Sequence, residues 1–310
     1  MPNTLAHIGA QRLLTHAVIP TADLRWVLIG CVLPDVPWIG YRVVRIFAGV
    51  DGLDPYAVRA YFIAQASLFL LLCLCGAAAL LSTRPRRVFA VLSLGALLHL
   101  LLDAMQTKWG NGVHLFAPFA WSDLNFRWFW PERWPSIALT LLGVALGVAA
   151  FFQAPRSALF APRSRRAVAA GALLFVWLAV PWSLIGPVQA GDAHFVRTLK
   201  QRSERPGRYF ELDRAHYGDS DGLRTWAPEG LRVVGAQQLD RGVYSVRARF
   251  VTESSVEILA FHRHGRFRNL SSVVGLALVA VVCLASLRGG APRGASGTPP
   301  PPPTEAGPAS

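Results

Sequence analysis

The sequence predicts an α-helical integral membrane bundle of six or seven spans, with a small β-barrel or sandwich domain outside the bilayer. The chain of 310 residues is 53% hydrophobic and only 16% charged, with a mean hydropathy of +0.36. The apolar residues gather in long runs, which is typical of membrane proteins and not of a uniformly apolar soluble core. One stretch, 189–269, breaks this pattern because it is rich in charged and turn residues.

Apolar length identifies the spans. About 20 helical residues cross the roughly 30 Å of hydrocarbon in a bilayer. A sixth candidate, 26–46, contains Pro34 and Pro37, which remove helical hydrogen bonds, so we expect a kink or break there. A weaker seventh candidate, 3–20, is too polar to insert alone and is expected to be half-buried or interfacial. The five stronger spans are 61–82, 88–103, 136–153, 167–188 and 270–287.

Basic loops predict the orientation of the spans. Three arginines lie in the loop after 82 and four lie between 156 and 166, so both loops should be cytoplasmic. The loop 104–135 and the stretch 189–269 then both face outward, as expected for a protein of the bacterial inner membrane. The net charge of +13 is explained by this topology, and no nucleic-acid partner is expected.

The polar stretch 189–269 is predicted to be an extracytoplasmic β-rich domain. Alternating residues predict strands at 231–234, 243–251 and 255–261. The domain separates the membrane-embedded part, 1–188, from a C-terminal span, 270–287, and a disordered Pro-rich tail, 288–310. Its histidines are expected to be solvated: they are His194, His216, His262 and His264.

A few ionisable residues interrupt the apolar segments, where their burial is costly and usually functional. His99 and Asp103 are four residues apart and share one helical face, which suits a zinc-like ion. Alternatively, they form a buried hydrogen bond that only ties helices together. Asp35 lies in the proline-broken segment, where its carboxylate either lines a polar cavity or belongs to an interfacial loop.

Two further histidines are weaker candidates. His7 lies near the N-terminus and is either solvated or a ligand in company with the residues above. His114 lies in a Gly-rich, aromatic segment that can fold back over the outer end of the 88–103 helix, where it would be an additional ligand.

The run from His99 to Gly110, followed by Pro118 and Phe119, resembles the hallmark of the YdjM/DUF457 family of membrane-bound metal-dependent hydrolases. That family shows an N-terminal histidine, then Gly with Pro-Asp, then His-x-x-x-Asp leading into Thr, Gly and Pro-Phe. The resemblance covers roughly residues 1–150. It implies a divalent metal, zinc or manganese, with Asp35 as a ligand or catalytic base. The matching positions are His7, Gly30 with Pro34 and Asp35, and His99 with Asp103.

One departure from the family bears on the function. The family carries two further histidines between the Pro-Asp and His-x-x-x-Asp elements, whereas this chain has no histidine from 17 to 98. We therefore predict a hydrolase with one metal, acting on an ester or phosphoester derived from lipid or envelope. The alternative is a non-enzymatic envelope protein in which the His–Asp pair is structural and the outer β domain binds a partner.

Overall fold

A computed structural model of the chain has two parts, a bundle of apolar helices and a small barrel. The predicted Pro-rich tail lies outside the described residues from 289 onward. The described residues are 3–47, 53–153, 159–161, 163–218, 222–236 and 239–288.

Helices form most of the described chain. The N-terminal half contains α1 (Thr4–Val18), α2 (Leu24–Val32), α3 (Val36–Phe47), α4 (Pro55–Gln65), α5 (Leu68–Leu80) and α6 (Pro85–Met105). The second half contains α7 (Trp134–Gln153), α8 (Ser164–Ser183), α9 (Ile185–Ala190), α10 (Val196–Lys200) and α11 (Phe267–Arg288).

Within the described residues, five helices are long and apolar enough to cross a membrane, or six if a bent pair counts as one span. The prolines of the segment 26–46 produce a 3-10 turn at Leu33–Asp35, and Leu24–Ile46 remains one span of 23 residues. The five spans are Leu24–Ile46, Pro85–Met105, Trp134–Gln153, Ser164–Ser183 and Phe267–Ala285.

The predicted span 61–82 is found as part of a bent pair of helices and not as one continuous helix. It is divided into α4 and α5, which meet at an angle of 66°. Neither proline nor glycine marks the break, which falls where Ser67 adopts an extended backbone. The reason is tertiary, because Ala60 and Ile63 of α4 pack in the same hydrophobic cluster as the barrel.

Helix α1 corresponds to the weak N-terminal candidate and is half-buried: its first half is buried in the bundle, whereas Leu13, Leu14 and Val18 are exposed. Asn3 caps it by accepting a hydrogen bond from the Ala6 N–H. Its buried face lies against α7 at two glycines, where the backbones meet almost directly. A Cβ atom on Gly9 would lie 2.5 Å from the Leu139 carbonyl oxygen, and one on Gly143 would overlap the Leu5 carbonyl. Small residues allow this close helix packing in apolar surroundings.

Five strands close into a barrel in the order β1-β2-β3-β5-β4. Among the described strands, only the β3–β5 pair is parallel. Phe210 and Phe250 stack in its core with ring centroids 4.4 Å apart. The strands are β1 (Tyr209–Tyr217), β2 (Gly222–Arg224), β3 (Leu231–Val234), β4 (Gly242–Phe250) and β5 (Ser255–Arg263).

The last three strands confirm the predicted ones, whereas β1 and β2 were not predicted. The register of β1 shifts between Leu212 and Ala215, and Arg214 between them has a positive φ of 58°. This bulge interrupts the alternation of buried and exposed residues on which strand prediction depends.

The loop between α6 and α7 contacts the barrel. The Gly110 N–H donates to Glu211 Oε2 at 2.9 Å, and Asn111 Nδ2 donates to Asp213 Oδ2 at 2.9 Å. At another place in the fold, the Ala161 N–H donates to the Leu81 carbonyl, which joins the two basic loops. The two predicted outer segments therefore contact each other, and so do the two predicted cytoplasmic loops.

We expect Gly143→Leu to displace α1 from α7 and to lower the melting temperature of the detergent-purified protein. The cost should be at least about 1–3 kcal/mol, because the new side chain overlaps backbone atoms that cannot rotate away. Gly171→Leu is the matched control on α8, since a Cβ there meets no described atom within 4 Å. Equal melting temperatures for the two variants would contradict the close α1–α7 contact.

Candidate metal centre

The candidate site is built where α2 and α6 cross. A Cβ atom on Gly95 of α6 would lie only 3.2 Å from Gly30 Cα of α2, so the two helices approach at glycines. This approach places the Cys31 carbonyl beside the ring of His99, and His99 Nδ1 lies 2.8 Å from that oxygen.

The hydrogen bond to Cys31 sets the tautomer of His99. A carbonyl oxygen can only accept, so His99 Nδ1 carries the proton and the Nε2 lone pair of the neutral ring is free. Nε2 lies 3.6 Å from Asp35 Oδ1, and both atoms are buried without a hydrogen-bond partner among the described residues. Two acceptors that face each other can be bridged by a cation, and a proton on Nε2 would pair them as well.

His7 contributes a second ring to the same place. The rings of His7 and His99 are stacked, with centroids 3.6 Å apart and planes 6° apart. His7 Nε2 lies 3.4 Å from Asp103 Oδ1, and neither atom has a hydrogen-bond partner within the described chain. His7 is fully buried, so solvation does not explain its position.

The four predicted site residues therefore converge. His7, His99 and Asp103 each offer a ligand atom within 4.8 Å of the others, and Asp35 adjoins the group through His99. Two nitrogens and carboxylate oxygen suit a divalent ion such as zinc or manganese. The two His–Asp distances, 3.4 and 3.6 Å, exceed the usual length of a hydrogen bond, so they fit ligands around an ion better than a purely structural pair.

Sequence reasoning missed Lys108, which lies beside the site. Its Nζ is 3.2 Å from Asp103 Oδ2, and the residue is buried. The sequence offered one signal for it: lysine is rare in this chain, which contains only Lys108 and Lys200. Lys108 neutralises part of the charge of Asp103 and adds a positive group at the edge of the site.

The weaker candidate His114 is found in another group, with Asp123 and His194. His114 Nε2 lies 3.1 Å from Asp123 Oδ1, and His194 Nε2–H donates to the Gly112 carbonyl at 2.9 Å. Burial lowers the pKa of His114 and holds the pKa of His194 well below its usual value, so both rings are neutral near pH 7.

The prediction that the outer histidines are solvated is wrong for three of the four. His194 and His264 are buried, and His262 stacks on Trp130 with ring centroids 3.8 Å apart, whereas His216 is exposed. The physical reason is that the loop between α6 and α7 folds over the barrel and covers them. Alternate residues of an extended strand point to the same side. His262 and His264 therefore lie together, while Arg263 between them points to the other side.

Glu132 joins His262 and His264 in a group that needs no ion. His264 Nδ1 lies 2.9 Å from Glu132 Oε1, and His262 Nε2 lies 3.2 Å from Oε2. Burial would raise the pKa of Glu132, but the hydrogen bonds from the two rings outweigh it and hold that pKa well below its usual value. The group joins the loop to the barrel.

Ser245 lies next to His264, so that Glu132, His264 and Ser245 follow one another as the acid, base and nucleophile of a catalytic triad do. Its Oγ lies 2.8 Å from His264 Nε2, on the ring edge away from Glu132. Ser245 is completely buried in the barrel, and its hydroxyl also donates to Asp213. A substrate cannot reach such an oxygen, so we interpret the row as structural.

We expect Glu132→Gln to lower the melting temperature, by about 1–3 kcal/mol in unfolding free energy, since an ionised acceptor is lost between two rings. Ionised Glu132 stabilises the fold above pH 4.5, and this stabilisation is lost as the pH falls through its depressed pKa. Burial also lowers the pKa of His264, so its contribution is present above pH 6.5 and is lost as the pH falls.

The measurement is thermal unfolding of the detergent-purified protein between pH 7.5 and pH 4.5. The wild type should lose stability toward the acid end, because folding disfavours the protonated form of His264. Glu132→Gln should lose more over the same range, because the carboxylate that favours protonation of His264 is gone. Glu253→Gln is the matched control, because Glu253 lies exposed in the turn between β4 and β5. A wild-type stability that rises on acidification would contradict this assignment.

In comparisons with known proteins, no family model, curated protein or solved structure matches this chain. The interpretation of the site therefore rests on its geometry, and the family resemblance rests on the motifs named above. The structure itself establishes apolar helices suited to a membrane, a closed barrel and groups of His, Asp and Glu that can hold a metal ion.

Proposed function

We propose that this chain is a membrane-embedded, metal-dependent hydrolase with one divalent ion, held by His7, His99 and Asp103 with Asp35 beside it. The observation that carries this proposal is a group of buried histidine nitrogens and carboxylate oxygens that lie close together without hydrogen bonds to one another. His99 Nε2 faces Asp35 Oδ1, and His7 Nε2 faces Asp103 Oδ1, without hydrogen bonds between them. Zinc is the expected ion and manganese the second candidate, in keeping with the YdjM/DUF457 resemblance.

The residues around the ion have distinct roles in this proposal. A bound divalent ion supplies a more acidic water and polarises an ester or phosphoester oxygen. Asp35 Oδ1 accepts the proton of the attacking water, and Lys108 faces the negative charge that develops on the substrate. The hydrogen bond from His99 Nδ1 to Cys31 keeps the ring in the orientation that a ligand needs.

We place the protein in a bacterial inner membrane, crossing it six or seven times, with the barrel and the site on the outer side. The basic loops support this orientation by the positive-inside rule. The contacts of the loop 104–135 with the barrel are consistent with it, because both segments must then lie on one side of the bilayer. A substrate from lipid or envelope fits this location.

The alternative proposal is a non-enzymatic envelope protein whose barrel binds a partner. The absence of the two additional family histidines favours it. In that case the His–Asp pairs only tie α1, α2 and α6 together, and the protein binds no ion.

Metal content of the detergent-purified protein distinguishes the two proposals. We expect nearly one zinc or manganese per wild-type chain, and its loss in His99→Ala and Asp35→Ala, because each variant removes an acceptor at the site. His216→Ala is the control, since His216 is an exposed barrel histidine outside this group.

After the metal analysis, the same variants should be tested in esterase and phosphoesterase assays. Hydrolysis that depends on the metal and disappears with His99→Ala supports the enzyme. A wild-type protein that stays metal-free after reconstitution with both ions excludes the hydrolase and leaves the barrel partner as the function to pursue.

A further inference from the structure

A cavity of about 1330 Å³ lies between the helices and the barrel. Its walls come from α3 and α4, from the segment 108–114, and from strands β1 to β3 with the turns beside them. Asp103 is part of its wall, so the cavity opens directly beside the candidate metal centre.

The cavity is strongly basic. Eight arginine and lysine residues line it, against two acidic residues among those described. Both acidic residues are already engaged: Asp103 is 3.2 Å from Lys108 Nζ, and Asp213 accepts hydrogen bonds of 2.9 Å from Asn111 and from Ser245. A concave surface with this charge imbalance concentrates anions.

Arg59 is held at the contact between the two parts of the protein. Its guanidinium carbon lies 4.7 Å from the ring centroid of Trp38 on α3 and 5.4 Å from that of Trp226 in the barrel. Aromatic faces orient an arginine without using its N–H donors. Arg59 Nε is buried and has no hydrogen-bond partner within the described chain.

Arg214 is directed to the same cavity by a strained backbone. It occupies the β1 bulge with a φ of 58°, a conformation uncommon for residues with a side chain and frequent at functional sites. Its Nη1 is buried without a partner among the described residues. Burial, and then Arg268, lower the pKa of Arg214 to about 10, so a bound anion would relieve both effects.

One wall of the cavity is apolar. Val44, Leu53, Val58 and Ile63 contribute to it from α3, from α4 and from the segment before α4. The lining therefore offers arginine donors at one place and hydrocarbon contacts at another, which matches a ligand with an anionic group and an apolar part.

We propose that this cavity binds the phosphate of an anionic phosphoester through Arg59 and Arg214, so that the substrate of the site is a phosphoester and not a neutral ester. Arginine suits this role because its planar donors match phosphate oxygens in pairs. The source of the phosphate is either a lipid head group, whose chains lie against the apolar wall, or a water-soluble phosphate ester.

Turnover of this ligand rests on the proposed function, whereas its binding does not. In the hydrolysis, the hydroxyl of water joins phosphorus, the bond from phosphorus to the alcohol oxygen breaks, and the remaining proton of water goes to the alcohol. Lys108, between the cavity and Asp103, would face the phosphate oxygens during this step.

The test is equilibrium binding to the full-length protein in neutral detergent, followed by tryptophan fluorescence, since Trp38 and Trp226 flank Arg59. The probes are short-chain phosphatidic acid, the matching diacylglycerol and glycerol phosphate. We expect phosphatidic acid or glycerol phosphate to bind and diacylglycerol not to. Stronger binding of phosphatidic acid identifies the lipid source, and equal binding of the two phosphates identifies the water-soluble one.

Variants separate this proposal from a merely structural role. Arg59→Gln and Arg214→Gln should each weaken phosphate binding about tenfold, as expected for a lost charged hydrogen bond. Arg249→Gln, on the exposed face of β4 and outside the cavity, should not change it. Arg214→Lys keeps the charge and should bind better than Arg214→Gln, which excludes a folding defect as the cause.

Phosphate binding should persist in His99→Ala and after metal removal. The phosphate site can therefore be tested whether or not the protein holds an ion. Binding without metal or hydrolysis would support the phosphate site and contradict the hydrolase. Equal affinity for diacylglycerol and phosphatidic acid, or unchanged affinity in both glutamine variants, would overturn the phosphate site while leaving the metal centre to its own test.

Discussion

Close helix contact through glycine is the constraint on which the candidate site depends. At Gly30 and Gly95 the backbones of α2 and α6 approach until a carbonyl oxygen of one helix meets a histidine ring of the other. Gly9 allows α1 a similar approach to α7, which holds His7 in the interior of the bundle. Larger residues at these contacts would separate the helices by more than the reach of a shared ion.

The histidine groups differ in how their polar atoms are satisfied, and this difference distinguishes the candidate metal centre from the group around Glu132. Around Glu132, ring nitrogens lie at hydrogen-bond distance from each carboxylate oxygen, so protons already satisfy the acceptors. Around His99, the facing atoms are both acceptors and lie in apolar surroundings. Unpaired buried acceptors are expensive there, and a bound cation or a proton on His99 Nε2 would remove that cost.

The barrel and the bundle together form the walls of one cavity. The bend between α4 and α5 turns α4 toward the barrel, where Ala60 and Ile63 join its hydrophobic cluster. Interrupted helices at membrane depth are stable where they line a polar cavity or pack on protein, and α4 does both. Arg59 on this helix thereby contacts the barrel at Trp226 and lines the cavity beside the candidate metal centre.

Hydropathy alone predicted most spans, and ionisable residues in apolar segments identified His7, Asp35, His99 and Asp103, because both signals depend on local composition. Alternation likewise predicted β3, β4 and β5. The bend before Ser67, the bulge at Arg214 and the burial of the outer histidines carried no such local signal. They follow from contacts between distant segments, namely α4 with the barrel and the α6–α7 loop with β1 and β5. Such long-range packing decides which polar groups meet, and it is established only when the whole chain has folded.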